Sequence, residues 1–533
     1  MATDESTQDD TEKNTLLELL DGLPLAIAQA GAYIYESGLD LTKYISFYKQ
    51  QCNELIETDK LNDSPLQDYP NRSVWTTWAI SFNTIREKHR HTANLLLLWS
   101  FLDNKDLWYD LLAAPSDEKY YGKCSSAPML SRWIGNIASS EVQFSQAMQL
   151  LRNYSLVEEI TGTSSYTTHP VVHQWARHSQ GRFFEMELCK LAVVVVGWGM
   201  PYHTDSGAYA LRRRLLPHAQ VCFRHIVQRE AFTQFEVDQG ADEDNGHLGE
   251  NETVLLGLTL LGDLYTNQRK WLEAEEINNR GLGGMKKVLG LSNGLTLGTM
   301  NNLGVIYARQ ERLPEAEEMF VQAIQGQKKL LGPTHPSTLR TARNLGNLYR
   351  VQGKLVEASE MCERVLGGQE EVLESTDMSI LETMGCLGVI YATQGKLAKA
   401  EQMYDRTLLV CKANLGEEGM TEHAPAIQVL YNRGGLHVEQ GNLAGAEQDY
   451  ERALRGYEKM VGTEHVQEHT GALDVLWNLG VVFERQRESG KAIAVCERAL
   501  HGYSDLYGPS SEKCRELTRW IEKLKKDHEK NER

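Results

Sequence analysis

One short stretch recurs six times in the second half of the chain, and its spacing restricts the fold more than any other feature. "LGDLYTNQRKWLEAEE" begins at 261, "LGVIYARQERLPEAEE" at 303, "LGNLYRVQGKLVEASE" at 345 and "LGVIYATQGKLAKAEQ" at 387, each 42 residues after the last. Two further copies follow at steps of 46, "GLHVEQGNLAGAEQ" aligned through Gly434 and "LGVVFERQRESGKAIA" from 479. A chain that holds one spacing through successive copies builds one supersecondary unit repeatedly, because a single copy cannot bury its apolar face alone. Each copy has a small residue in its first helix (Gly262, Gly304, Gly346, Gly388, Gly434, Gly480) and an alanine twelve residues on (Ala274, Ala316, Ala358, Ala400, Ala446, Ala492). Small side chains let two antiparallel helices approach closely, while Tyr265, Tyr307, Tyr349, Tyr391 and Phe483 fill the space between neighbouring copies. The expectation is a helical hairpin stacked six times.

The register, clearest as Leu303, Gly304, Tyr307, Ala316, Phe320 and Ala323, resembles the tetratricopeptide repeat. The 42-residue period, and linkers such as "LLGPTHPSTL", are similar to the kinesin-light-chain variety, in which the extra residues lengthen each helix by roughly one turn. Asn278 and Cys362 stand where an aromatic residue is usual, and His437 replaces the tyrosine of the fifth copy.

Stacked hairpins curve, and their first helices line a groove suited to an extended peptide or a partner helix. Two residues before the small position, four of the six copies carry asparagine: Asn302, Asn344, Asn432 and Asn478. An amide both donates and accepts, so such a ladder suits a peptide backbone, and it equally suits bonds to a neighbouring helix. Both roles stay open at this point. Arg309, Arg343, Arg350 and Arg485 on the same helices favour acidic ligands.

Before the repeats the pattern changes. "VWTTWAISFNTIREKHRHTANLLLLWSFLDNKDL" reads as two helices, and "SQAMQLLRNYSLVEEITGTSSYTTHPVVHQWARHS" as a helix, a two-stranded ribbon turning at Thr161-Gly162-Thr163, and another helix. Helices followed by a small hairpin describe a winged helix. The helix that would read DNA, "SEVQFSQAMQLLRNYS", has one Arg and one Glu, which argues against nucleic acid. The formal charge of −18, from 73 acidic and 55 basic side chains, repels phosphate backbones as well. Arg212 to Arg214 form the one dense basic cluster, read as a solvated face or a set of salt bridges.

"GLPLA" at Gly22 to Ala26, followed about 140 residues later by "THPVVHQWA", resembles the second half of the nucleotide-binding module of NLR-type signalling ATPases, in which a helical subdomain opens with G-L-P-L-A and a winged helix ends in M-H-D. Thr168, His169 and Pro170 occupy the M-H-D register, with Thr and Pro in place of Met and Asp. The resemblance covers about 170 residues, and fungal members of that family often carry kinesin-light-chain-like repeats behind this module. It implies that Pro24 lies against an adenine and that His169 contacts a bound diphosphate. No G-x-x-x-x-G-K-[ST] loop occurs, and the nearest string, "RESGKAIA", falls in the last repeat. The parallel sheet on which "GLPLAIAQA" would pack should precede Gly22. The reading is therefore a lid without its phosphate-binding half: no cofactor, with ADP or ATP bound only if that half is supplied.

Other chemistries find little support. His169, His173 and His178 lack the acidic partner or H-E-x-x-H spacing of a zinc site, and His173 is expected on the surface of its helix. No G-x-S-x-G is present. Nine scattered cysteines without a C-x-x-C pair read as reduced thiols, and the longest apolar runs, "LLLLW" and "LAVVVVGWGM", are too short to cross a bilayer. With an acidic start, "MATDESTQDDTE", the expected location is cytoplasmic.

The expected architecture is mainly α: an α-solenoid of tetratricopeptide repeats preceded by a helical subdomain and a winged-helix domain with a small β-hairpin. The divisions are a disordered acidic segment over 1–13, the helical subdomain over 14–65, the winged helix over 66–185, a helical connector with an acidic loop over 186–250, the array over 251–525 and a charged tail over 526–533. The function read from these features is a non-enzymatic regulatory protein that binds a protein or peptide in its groove, with self-association a further expectation and neither nucleic acid nor membrane a partner. Two alternatives stand beside it: a plain scaffold or adaptor similar to kinesin light chain, and a nucleotide-dependent ATPase whose phosphate site comes from elsewhere.

Overall fold

The computed structural model describes residues 4–20, 22–57, 72–114, 127–179, 182–201, 206–228, 250–374, 377–420 and 423–531. The chain divides into two compact units, Met1–Met200 with Leu215–Val288, and Pro201–Arg214 with Leu289–Arg533.

The first unit opens with α1 (Asp4–Leu19), α2 (Pro24–Ser37) and α3 (Leu41–Glu57). Helix covers most of the segment expected to be disordered over 1–13. A bond from outside the segment holds it, the Thr42 hydroxyl of α3 donating to Glu12 at 2.7 Å. Gly22, at φ 67°, donates its N–H to Leu17 O at 3.0 Å, and Pro24 then starts α2 at its first position, where its missing N–H costs nothing.

The winged helix comprises α4 (Arg72–Lys88), α5 (Arg90–Trp99), β1 (Leu107–Trp108), α6 (Tyr109–Ala113), α7 (Ala127–Ile134), α8 (Glu141–Asn153), β2 (Glu158–Ile160), β3 (Ser165–Thr167) and α9 (Pro170–His178). The Ser140 side chain caps α8 by accepting from Gln143 N, and Phe144, Ala147, Met148 and Leu151 form its buried stripe. The expected ribbon pairs β2 with β3 (Glu158 opposite Thr167) around a left-handed Gly162, and β1 adds a third antiparallel strand with Leu107 opposite Tyr166. A strand of two residues carries no alternation, so it left no signal in the sequence.

One expectation is corrected here. Much of the surface under "GLPLAIAQA" lies within this chain: α2 packs on α4 and α8, burying Ala26, Gln29, Ala30 and Tyr33. The Gln29 amide donates to Ser81 Oγ at 3.3 Å and to Tyr154 O, so it ties three helices together. Small residues at 26 and 30 let α4 come close enough for those bonds. Pro24, Ala28, Gly31 and Tyr35 remain exposed on the opposite face.

α10 (Arg182–Trp198) carries the run "LAVVVV" fully buried, and among the described residues no helix is long and apolar enough to cross a membrane. α11 (Ser206–Gln228) contributes residues to both units, and α12 (Glu250–Asn267) and α13 (Trp271–Val288) form the first repeat hairpin. That hairpin belongs to the first unit because α12 packs on α10 at a glycine crossing, where a Cβ on Gly197 would lie 2.9 Å from Gly257 Cα. The acidic linker read over 237–251 lies outside the described residues up to 249.

The second unit holds the other five hairpins: α14 (Gly294–Arg309) with α15 (Leu313–Leu330), α16 (Pro336–Val351) with α17 (Leu355–Val372), α18 (Met378–Thr393) with α19 (Leu397–Met420), α20 (Ala424–Glu439) with α21 (Leu443–Val461), and α22 (Thr470–Arg485) with α23 (Ser489–Tyr507). α24 (Glu512–Asn531) closes the stack with Leu517, Ile521 and Leu524 buried, and it carries the expected tail to Asn531 as helix. First helices start on side-chain caps: Asn293 accepts from Leu295 N at 2.8 Å, His335 from Ser337 N at 3.2 Å and Asp377 from Ser379 N at 2.8 Å.

Candidate partner groove and nucleotide-facing residues

The repeat register translates into one packing device. All six alanines, from Ala274 to Ala492, are fully buried. In every hairpin the residue sixteen positions after the glycine lies directly over it: a Cβ on Gly304 would meet the Phe320 ring at 2.6 Å, one on Gly434 the Tyr450 ring at 2.7 Å, and those on Gly346 and Gly480 the sulfurs of Cys362 and Cys496 at 2.6 Å. Among the tyrosines expected between copies, Tyr391 reaches back to donate to Glu363 at 2.6 Å, and Tyr307, Tyr349 and Tyr391 each lie beneath a cation, such as Arg312 at 4.2 Å from the Tyr307 ring.

A ladder that sequence reading missed joins successive hairpins. The glutamine closing each first helix donates to the preceding second helix: Gln352 to Glu317 at 2.9 Å, Gln394 to Leu355 O at 2.6 Å, Gln440 to Glu401 at 3.1 Å and Gln486 to Glu447 at 2.9 Å. Its signal was present as the recurring Gln of "YATQGK" and "HVEQGN".

Successive first helices touch one another (α14 with α16, α16 with α18, α18 with α20, α20 with α22) and stand closer together than the second helices do, so the stack is tighter on the side they line. On that side the asparagines are engaged within the protein. Asn344 Nδ2 donates to Asn301 Oδ1 of the preceding hairpin at 2.9 Å, Asn478 bonds the Tyr431 and Tyr450 hydroxyls, and Asn432 accepts from Gln428 of its own helix at 3.2 Å. For Asn344 and Asn478 the neighbouring-helix role is therefore the one seen. Asn302 lies beside Asn301, whose amide donates to it at 3.4 Å.

The arginines divide. Arg343 pairs with Glu382 of the next hairpin, and exposed Arg485 approaches Val438 O at 3.4 Å. Among the described residues Arg350 donates only to the Asn347 amide, at 3.0 Å. Arg309 is exposed, as is Arg340 on α16, which makes no ion pair among the described residues. The cluster at Arg212 to Arg214 is at least partly a salt-bridge set, since Arg213 reaches Glu468 at 2.8 Å.

In the first unit, Pro24 and His169 are both exposed. His169 caps α9, its Nδ1 accepting from Val171 N at 3.3 Å. His173 is buried, contrary to the surface position expected. Its Nε2–H donates to Trp99 O at 3.0 Å, which also accepts from Leu102 N, and its Nδ1 accepts from Arg177, which grips Ser100 O, so α9 bonds the carbonyls at the end of α5. Among the described residues no group of three or more candidate ligands could hold a metal ion.

Burial, then the Arg177 charge, pushes the His173 ring down to about 4 from 6.5. Because the folded value is depressed, the unfolded chain takes up the proton first, so stability falls as pH drops from about 6.5 towards 4. The expected loss is about 3 kcal/mol, visible as pH-dependent exposure of the Trp78, Trp99 and Trp175 fluorescence. A His173→Gln variant should flatten that slope, and an unchanged slope would assign the loss to other groups.

A cleft of about 750 Å³ opens between the α4–α5 junction and α8, rimmed by Lys88, His89, Arg90 and His91. Lys88 and Arg90 bring positive charge to the junction, whereas α8 contributes the amides of Gln143 and Gln146.

The hairpins stack as a tetratricopeptide-type solenoid, and a family model, "Tetratricopeptide repeat", matches residues 253–329, 295–371 and 379–459. A relative described as a nucleotide-binding leucine-rich repeat (NLR)-like protein from Hyaloscypha variabilis is 27% identical over 306 residues, or 55% of this chain. The match spans 26% of that relative's length. Among solved structures, a putative kinesin light chain with nearly identical TPR-like repeats from Podospora anserina is 22% identical over 38% of this chain and 95% of its own, with a TM-score of 0.32. A signal transduction ATPase with numerous domains and a tetratricopeptide repeat sensor, from Pyrococcus horikoshii, is 12% identical over 94% of this chain and 72% of its own, with a TM-score of 0.37.

Proposed function

We propose that this chain is a regulatory protein that acts by capturing an acidic, extended protein segment along the first helices of its repeat array, without chemistry of its own. The observation that carries the reading is the face of α16. There, among the described residues, Arg340 has no ionic partner and Arg350 is bonded only to Asn347. The small side chains Val389 and Ala392 are half-buried on α18, the first helix that neighbours α16 in the stack. Cations flanked by small apolar positions suit a chain that alternates acidic and apolar residues.

The NLR-like relative supports a switch in which capture on the array is relayed to the winged helix. Under that reading Pro24 and His169 are the exposed positions that would meet a nucleotide held by a phosphate-binding domain. Mass spectrometry of denatured, purified protein tests this part: the expected result is no stoichiometric ADP or ATP, and stoichiometric nucleotide would show that the chain holds one unaided.

The groove is tested by fluorescence anisotropy with two labelled peptides of equal length, one rich in Asp and Glu and the other carrying Asn and Gln at those positions. The acidic peptide should bind about tenfold more tightly at low salt, and most of that preference should vanish in Arg340→Glu/Arg350→Glu. Equal binding of both peptides, or a preference untouched by the double substitution, would remove the acidic-ligand reading.

A further inference from the structure

Two departures from the repeat pattern meet in the middle of the array. Cys362 on α17 takes the place that Phe320, Tyr404 and Tyr450 fill in other hairpins, and Cys386 on α18 takes the place of Asn302, Asn344, Asn432 and Asn478. Their sulfurs lie 3.9 Å apart. The same two positions meet two junctions further on, where Tyr450 bonds Asn478. The repeat register therefore brings these sites together, and at one junction both are thiols.

Their surroundings differ. Cys362 is fully buried under Gly346, whereas Cys386 on α18 is only partly buried. Among the described residues the other thiols are buried, except Cys52, which makes no thiol contact. Cys124 lies outside the described residues.

We propose that Cys386 and Cys362 form a thiol modification site, in which Cys386 attacks a low-molecular-weight disulfide of the glutathione type and Cys362 resolves the product to an intramolecular disulfide. The Cys386 thiolate attacks one sulfur of the oxidant, the oxidant's S–S bond breaks, and one glutathione leaves as thiolate. The Cys362 sulfur then attacks Cys386 in the mixed disulfide, expelling the second glutathione, which carries off the proton. Two protein thiols are oxidised, one small disulfide is reduced to two thiols, and no further electron carrier is needed.

The hydrogen bond from Cys362 holds the Cys386 thiol below its ordinary range, with Arg343 and Arg350 acting in the same sense, while that bond and burial push Cys362 up. The thiol of the less buried residue is thus the attacking one and that of the fully buried residue the resolving one. Closing the bond requires the sulfurs to approach by about 2 Å, to a normal S–S length near 2.0 Å. The product would tie α17 to α18, and so one hairpin to the next. This proposal does not depend on what the array binds.

The test is oxidation of the full chain with glutathione disulfide, followed by blocking of free thiols and peptide mapping without reduction. The expected product links the Cys362 and Cys386 peptides and carries no glutathione. Cys362→Ala should trap glutathione on Cys386, and Cys386→Ser should leave Cys362 reduced, with circular dichroism confirming that each variant is folded. If a variant does not fold, the wild-type map decides alone. Glutathione persisting on wild-type Cys386 would overturn the resolving role. So would a disulfide from either cysteine to a different partner, and alkylation of Cys386 no faster than that of Cys52 would overturn the attacking role.

Discussion

Gly304→Val is expected to cost the second unit at least 3 kcal/mol, enough to unfold its early hairpins near room temperature. A Cβ at this position would lie 2.6, 2.8 and 3.0 Å from three carbons of the Phe320 ring, which is itself buried. Either α14 and α15 separate, exposing Ala316 and Ala323, or the ring leaves its rotamer, and each option forfeits contacts along the whole hairpin. Gly304→Ala carries the same clash in milder form. Its helix-propensity gain of about 1 kcal/mol offsets only part of an overpacking cost of about 1–3 kcal/mol.

Gly298, one and a half turns earlier on the same helix, is the control. Nothing lies within 4 Å of its missing Cβ, so Gly298→Ala should stabilise by about 0.5–1 kcal/mol. Denaturant melts of the pair should move in opposite directions. The clash is also testable by coupling: Phe320→Ala alone should cost about 3–5 kcal/mol, and the double Gly304→Ala/Phe320→Ala variant should be more stable than the sum of its parts. Additive losses would mean that the two residues do not share the space.

Arg433→Ala should be nearly as damaging, at about 3–5 kcal/mol. Arg433 on α20 grips Asp449 on α21 with two bonds of 2.7 Å and reaches Asp405 of the preceding hairpin at 2.6 Å. Asp449 is buried, so removing the guanidinium leaves a carboxylate out of water with the His437 ring, at 3.5 Å, beside it in place of two charged bonds. Asp405 is largely exposed, and Asp405→Ala should cost less than about 1 kcal/mol. Replacing both buried partners with methionine should recover most of the stability, because the desolvation cost goes with the charges. A double variant as unstable as Arg433→Ala would instead make the network a determinant of packing beyond its charge.

These two predictions differ in how much of them was legible in the sequence. The Gly304 device was visible, because Gly, the Ala twelve residues later and the ring sixteen residues later recur at one spacing, and a periodic demand on volume leaves a periodic mark. The Arg433 network was not, since it occurs in one hairpin and joins three helices whose approach no local pattern encodes. The groove asparagines show the same limit. Their spacing announced an inner-face ladder, but the bonds from Asn344 to Asn301 and from Asn478 to two tyrosines depend on how hairpins stack.

The sequence by itself determined the hairpin, its number of copies, the helical turn at Gly22 and the wing around Gly162, because each follows from side-chain volume, periodicity or backbone sterics within a few turns of chain. Only the tertiary structure decided that the first hairpin joins the first unit across Gly197 and Gly257, that His173 is buried beneath Trp99, and that Cys362 and Cys386 meet. Each of these rests on a contact between segments that are distant in sequence or that belong to successive hairpins. The free energy of such contacts depends on the shape and charge that the rest of the fold presents, and neither is written in the local pattern of residues.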